Sequence, residues 1–365
     1  MTKATAGTTA TTRPKPREAI VRMAPYHPPT GGRRGKLRLD FNENTVGCSP
    51  RVAELLKRIA DPDFFAVYPE YTEAVPKIAD WLGVSAEQLL LTNGTDEAIH
   101  CLINTYVDAG GEVLIPWPTY SMYQFYSELA GAVPRQVPYD LPDLTFPLDA
   151  LLEGINENTR AILLANPNNP TGGAIGIAEI ETILERAGDT AVLIDEAYFE
   201  FYDVTALDLV ATHPNLFVSR TFSKVYGMAG FRLGCLLSQA ENIAFIAKGQ
   251  SPYSVNSLAA ACALEAINDQ EYISNYVTEA RAARQRLTEG LTELGVQHYP
   301  SQANFVLAQF GDRSKEVCVR LRNRGILIRD RSHEIPGTAR ITAGTREQAK
   351  QLLQALKDVL AETNG

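Results

Sequence analysis

The sequence is short of the residues on which several function classes depend. Its 365 residues hold five cysteines, Cys48, Cys101, Cys235, Cys262 and Cys318, an odd number without CxxC spacing, which points to neither a disulfide framework nor a zinc site. Five histidines (His27, His100, His213, His298, His333) also lack metal-ligand spacing. Positive charge is scarce: the formal net charge is -9, and a nucleic-acid partner needs a basic face. No apolar run approaches the roughly 18 residues of a membrane span, so no bilayer crossing is expected. Residues 1 to 18 are rich in Thr, Lys, Arg and Pro without the apolar stretch of a secretory leader, and read as a disordered tail; their acid-poor composition also resembles an organelle transit peptide, without its amphipathic stripe. A reducing cytoplasm fits this composition best.

What is present belongs to a globular enzyme. A hydrophobic fraction of 45% and a charged fraction of 21% are ordinary for one, and the length allows about two domains. Lys36 to Phe41 alternates like a strand and is followed by the polar cluster Asn42-Glu43-Asn44. Ser49-Pro50 opens a helix to about Ile59, and a second is expected from Tyr68-Pro69 to Leu82, kinked or shortened at Pro76. Gln88 to Thr92 reads as a buried strand running through Asn93-Gly94-Thr95-Asp96 into a helix, a turn whose free N–H groups suit an anion. That turn is neither GxxxxGK(S/T) nor GxGxxG, which weakens nucleotide readings.

Further strand-like runs occur at Val113 to Ile115, Ala161 to Ala165, Val192 to Ile194, Leu216 to Ser219 and Leu233 to Leu237. Continuous apolar runs alternating with helices predict an α/β fold, a three-layer, mostly parallel sheet covered on both faces, with ligands beyond the strands' carboxyl ends. After about Ser257 the texture becomes that of a smaller α+β domain. The organisation read from these patterns is a tail and arm over 1–35, a large domain over 36–257 whose first strand is open to assignment to the small one, and a small domain over 258–365.

Chemistry points to one stretch, Ser219 to Arg232. Lys224 sits there among small and hydroxyl residues between two buried strands, where a charged amine is costly unless paired, and where Schiff-base chemistry with an aldehyde cofactor would use it. Its competing reading is a solvated lysine. Asp195 ends a hydrophobic strand, where a lone carboxylate is expensive unless a cation faces it or it caps a helix.

The set Asn166-Pro-Asn-Asn-Pro-Thr-Gly172, Asp195-Glu-Ala-Tyr198, Ser223-Lys224 with Arg232, and Arg340-Ile-Thr-Ala-Gly-Thr-Arg346 resembles the fold-type I aminotransferases that use pyridoxal 5'-phosphate, most of all the histidinol-phosphate group. The resemblance runs from about Pro25 to the C-terminus. It implies that Lys224 carries the cofactor and moves the proton, that Asp195 pairs with the pyridinium nitrogen, and that Asn169 and Tyr198 bond the ring oxygen. Tyr120 would stack on the ring, and Gly94, Thr95, Asp96, Thr221, Ser223 and Arg232 would hold the phosphate. Tyr68 would reach that phosphate from a partner subunit, making a homodimer with shared sites; Tyr120 and Tyr68 are otherwise core aromatics. Arg340 and Arg329 would meet the substrate's anionic group, with Tyr26 and Asn44 at its mouth; the arginines are otherwise rim residues.

The activity implied is amino transfer between L-histidinol phosphate and 2-oxoglutarate in histidine biosynthesis. The alternatives are an aromatic or broad-specificity aminotransferase, a phosphothreonine-type decarboxylase, and a non-catalytic ligand-sensing domain. Thr45-Val46-Gly47-Cys48 and Tyr68-Pro69-Glu70-Tyr71 depart from the group's usual loops and bear on the substrate, not on the cofactor set.

Overall fold

The computed structural model describes residues 14–25, 31–140 and 143–362. Its main sheet has seven strands: β2 (Leu89–Thr92), β3 (Glu112–Trp117), β4 (Val133–Pro138), β5 (Thr159–Ala165), β6 (Ala191–Asp195), β7 (Leu216–Thr221) and β8 (Gly234–Leu237), in the order β2-β8-β7-β6-β5-β3-β4. All run parallel except β8, which is antiparallel to both neighbours. The central strands carry apolar residues on both sides, and Leu163, Leu193, Ile194 and Val218 are wholly buried, as a sheet covered by helices on both faces demands.

β4 has no counterpart in the hydrophobic pattern. Its sequence, Val-Pro-Arg-Gln-Val-Pro, carries two prolines, which a strand tolerates at a sheet edge, and β4 pairs only with β3. The expected helix from Tyr68 is shorter than its pattern: it spans Ala74–Leu82, so Pro76 falls in the first turn, where a missing N–H breaks no helical bond. The strand expected over Lys36 to Phe41 is reduced to β1 (Leu37–Arg38), because the chain beyond it turns toward the cavity and reaches Asn42 in the left-handed region at φ 56°.

The C-terminal part builds its own sheet from β9 (Phe305–Gln309), β11 (Arg329–Asp330) and β12 (Thr338–Thr342), in the order β11-β12-β9. β10 (Ile326–Leu327) pairs in parallel with β1. Leu39, Val306, Ile341, Leu352 and Val359 form an apolar cluster there, separate from the one under the main sheet. The helix Gln270–Glu293 joins the two, with Ile273, Tyr276 and Ala280 in the larger cluster and Leu287 and Leu291 in the smaller. The helix Ser257–Asn268 packs on Pro50–Ile59 and Ala74–Leu82 and so contributes to the larger core. The cavity opens between these bodies, beyond the carboxyl ends of β3, β5, β6 and β7.

Candidate active site

A cavity of about 580 Å³ gathers residues from both bodies. One corner is built at the start of the helix Gly94–Tyr106, which leaves β2 through Asn93. Gly94 stands at φ 73°, and a Cβ there would lie 2.5 Å from Arg232 Nη2, so the turn requires glycine for conformation and for close approach. Arg232 Nη2 pairs with Asp96 at 3.1 Å, and its Nη1 lies 3.5 Å from Ser223 Oγ. Tyr120 donates its O–H to Asp96 at 2.7 Å, and burial, then the Asp96 charge, raises its phenol well above the ordinary range, so it remains a donor. Thr221 Oγ1 accepts from the Ser223 N–H at 3.1 Å. Free helix N–H groups, an arginine fork and hydroxyls thus meet in one place, the donor set that a phosphate group requires.

Asp195 closes β6 at the cavity floor, 3% exposed. Its oxygens accept from Tyr123 at 2.9 Å and from Ser219 at 2.8 Å. Burial outweighs these bonds and pushes its carboxyl up to about 6. Among the described residues no cation pairs with it. A buried, doubly hydrogen-bonded carboxylate without a counter-charge fits a protonated ring nitrogen.

Lys224 follows β7 on a loop whose next residues, Val225 and Tyr226, are buried and anchor it. Its Nζ donates to the Phe41 carbonyl at 3.1 Å and lies 5.8 Å from the Tyr198 ring centroid. Tyr198, 3% exposed, accepts a bond from Asn42 Nδ2 at 2.9 Å. Asn169 accepts from Arg340 Nη1 through Oδ1, which leaves its own N–H groups for the cavity.

Arg340, on β12, is 5% exposed, and its Nη2 donates to the Asp40 carbonyl at 2.7 Å. Burial, then neighbouring Arg331, lowers its guanidinium to about 10. Its Nε has no partner, and among the described residues no carboxylate pairs with it. Arg329 lines the same wall, 5.6 Å from the Phe41 ring centroid.

The cavity therefore brings together Thr95, Asp96, Tyr120, Asn169, Asp195, Tyr198, Thr221, Ser223, Lys224, Arg232, Arg329 and Arg340, with Gly94 packed against Arg232. Of the other expected residues, neither Asn44 nor Tyr68, the latter expected from a partner subunit, lines this chain's own cavity. Asn44 is spent on its loop: Nδ2 donates to the Val225 carbonyl at 2.9 Å, and Oδ1 accepts from the Val46 and Gly47 N–H groups. Tyr68 is 75% exposed, stacked on Tyr253 with centroids 4.6 Å apart, away from this cavity. Tyr26 lies outside the described residues. Sequence reasoning missed Tyr123, Ser219, Asn42, Arg33 and Arg331. Ser219 had the signal of opening the stretch that holds Lys224, while its place beside Asp195 across β6 and β7 is visible only in the sheet. Tyr123, one helical turn beyond Tyr120, had a weaker one. Among the described residues no three His, Cys, Asp or Glu side chains group as metal ligands, and no helix is long and apolar enough to cross a membrane.

A mostly parallel seven-stranded sheet, with a lysine and an unpaired aspartate at its strand ends and an anion corner at a helix start, defines the fold-type I class of pyridoxal-phosphate enzymes. The family model for aminotransferase class I and II matches residues 34–356, and the chain belongs to that family. It is 37% identical over 362 residues to the histidinol-phosphate aminotransferase of Symbiobacterium thermophilum, covering 95% of this chain and 99% of that one. It is 35% identical over 337 residues to the enzyme of the same name from a Geobacillus species, covering 89% and 90%. The crystal structure of histidinol-phosphate aminotransferase from Sinorhizobium meliloti in complex with pyridoxal-5'-phosphate superposes with a TM-score of 0.83 at 25% identity, over 90% of this chain and 91% of that one.

Proposed function

We propose that this aminotransferase uses pyridoxal 5'-phosphate to move an amino group between L-histidinol phosphate and 2-oxoglutarate, a step of histidine biosynthesis. The observation that carries the substrate reading is Arg340, a buried cation with Arg329 beside it in the cavity of Lys224 and no carboxylate paired with it among the described residues. Two guanidinium groups on one wall suit the phosphate of an amino donor, and equally the second carboxylate of a dicarboxylic acceptor.

The residues divide the work. Arg232, Ser223, Thr221 and the N–H groups from Gly94 to Asp96 would hold the cofactor phosphate. Asp195 would keep the ring nitrogen protonated, Tyr120 would cover a ring face, and Asn169 and Tyr198 would donate to the ring oxygen. When bound, pyridoxal phosphate supplies an aldehyde that takes the amino group and a ring that accepts the electrons of the carbon being deprotonated. Lys224 Nζ would move the proton at the substrate carbon bearing the amine, a general-base role its position beside Phe41 and Tyr198 permits. Arg329 and Arg340 fix the far end of the substrate, so that this carbon meets Lys224 in a reactive orientation.

The same reading includes a homodimer with shared sites, supported by Tyr68, which stands out from its own chain with Phe65 and Val67 on an exposed apolar rim. It also places the enzyme in the cytoplasm. A donor panel tests the substrate: kcat/KM is expected to be highest for histidinol phosphate, above phenylalanine, tyrosine and phosphothreonine, and a preference for an aromatic amino acid would overturn the assignment.

A further inference from the structure

The segment from Leu39 to Asn44 was expected to act through Asn44, yet the side chain that enters the site is Asn42. It is 1% exposed and lines the cavity with Tyr198. Its surroundings orient it. The backbone N–H of Asn42 donates to Thr342 Oγ1 at 3.0 Å, and the Thr342 hydroxyl gives its own proton to Asn42 Oδ1 at 3.2 Å. Asn304 Nδ2 donates to the Asn42 carbonyl at 3.2 Å. With the amide oxygen held by Thr342, the amide nitrogen faces Tyr198 Oη at 2.9 Å. The left-handed backbone at φ 56° is one that asparagine tolerates better than most residues.

A phenol has one proton to give, and its oxygen also accepts. Because Asn42 donates to that oxygen, the phenolic proton has no acceptor on the Asn42 side and is directed elsewhere. We propose that Asn42 is a positioning residue whose side-chain amide sets Tyr198 as a proton donor into the cavity, toward the cofactor's ring oxygen. The inference rests on the reading of Tyr198 as a cofactor contact. A donor to an anionic ring oxygen withdraws charge from the ring and makes the neighbouring imine nitrogen less basic. The electronics of the cofactor are thereby linked to β12, on which Thr342 stands.

The test is the pH titration of the bound cofactor's visible absorbance in the holoenzyme, with wild type, Tyr198→Phe, Asn42→Asp, Asn42→Gly and the double variant Asn42→Asp/Tyr198→Phe. The carboxylate of Asn42→Asp accepts the phenolic proton and turns it away from the cavity, so its titration is expected to move to higher pH by about 1 unit, in the direction of Tyr198→Phe. Asn42→Gly keeps the left-handed backbone without strain, removes the amide, and should give a smaller shift of the same sign. In the Tyr198→Phe background, Asn42→Asp should add no shift, because its route runs through the phenol. A shift of Asn42→Asp that persists in that background would show action through charge alone and overturn the proposal, as would wild-type titration in both Asn42 variants while Tyr198→Phe shifts. A wild-type band that does not move with pH would also overturn the proposal, whereas a wild-type protein with no visible cofactor band would overturn the cofactor reading beneath it.

Discussion

With Lys224 set aside, the two walls of the cavity are charged in opposite ways. On the wall built by the large sheet, Arg232 is paired with Asp96, and Asp195 is the buried charge without a counter-ion among the described residues. On the wall built by the small sheet the charges without a carboxylate partner among the described residues are cations, Arg329 and Arg340, while Arg331 pairs with Glu334 and Arg33 bridges Asp40 and Glu43. A buried charge without a partner is costly and persists where a ligand completes it. In the proposed function the first wall meets the positive nitrogen of the cofactor and the second the negative end of the substrate, which would let one cavity of a chain with net charge -9 attract anions.

Removing Lys224 breaks the comparison most severely, because its amine serves both walls. Lys224→Ala should lower kcat by about 10⁴-fold, with the phosphate corner still able to hold the cofactor noncovalently. Single-turnover rates check this, and a residual rate above about one hundredth of wild type would show that another group moves the proton. Removing one cation from the substrate wall should act selectively: Arg329→Ala is expected to cost about 100-fold in kcat/KM for histidinol phosphate and under about 3-fold for phenylalanine. Equal losses for both donors would take Arg329 out of phosphate recognition.

The anionic wall has a signature in stability. Asp195 holds its proton to about pH 6 in the native protein, against 3.8 for an ordinary aspartate, so across that window the native state binds more protons than the unfolded one and stability falls as pH rises. The span corresponds to about 3 kcal/mol. Denaturant unfolding of cofactor-free protein between pH 4 and 6 should show this slope, and Asp195→Asn should flatten it; an unchanged slope in that variant would assign the effect elsewhere. The smallest effect concerns the exposed rim at Tyr68, which the proposed dimer would cover. Confirmed heterodimers of Tyr68→Phe and Lys224→Ala chains should carry one intact site of two and about half the wild-type activity. Activity no higher than that of the Tyr68→Phe parent would argue against sharing.

Much of the cofactor wall was legible because it is local. Each of Gly94, Asp195 and Lys224 follows a continuous apolar run, and strand ends in a parallel sheet converge. Ser219 and Tyr123 were less so, since their role depends on which strand or helix lies beside Asp195. β4 escaped notice because its prolines contradict a strand anywhere but at an edge, and being an edge is a property of the whole sheet. Within Asn42-Glu43-Asn44 the pattern drew attention to the right cluster but to the wrong asparagine. Both are buried, and only the left-handed turn at Asn42 decides which side chain enters the cavity and which ties down the Val225 loop.

By itself, then, the chain determined the α/β class, the lysine, the aspartate and the glycine turn, because these need only short-range patterns and the cost of burying charge. Tertiary structure decided the wall proposed to meet the substrate: Arg329 and Arg340 reach the cavity of Lys224 because β11 and β12 pair side by side in the small sheet and the Asp40 carbonyl accepts from Arg340. Contacts between residues hundreds of positions apart leave no periodicity in the sequence. It is the packing of the small sheet against the 39–44 segment that brings two strand arginines to the cavity as the proposed anion site.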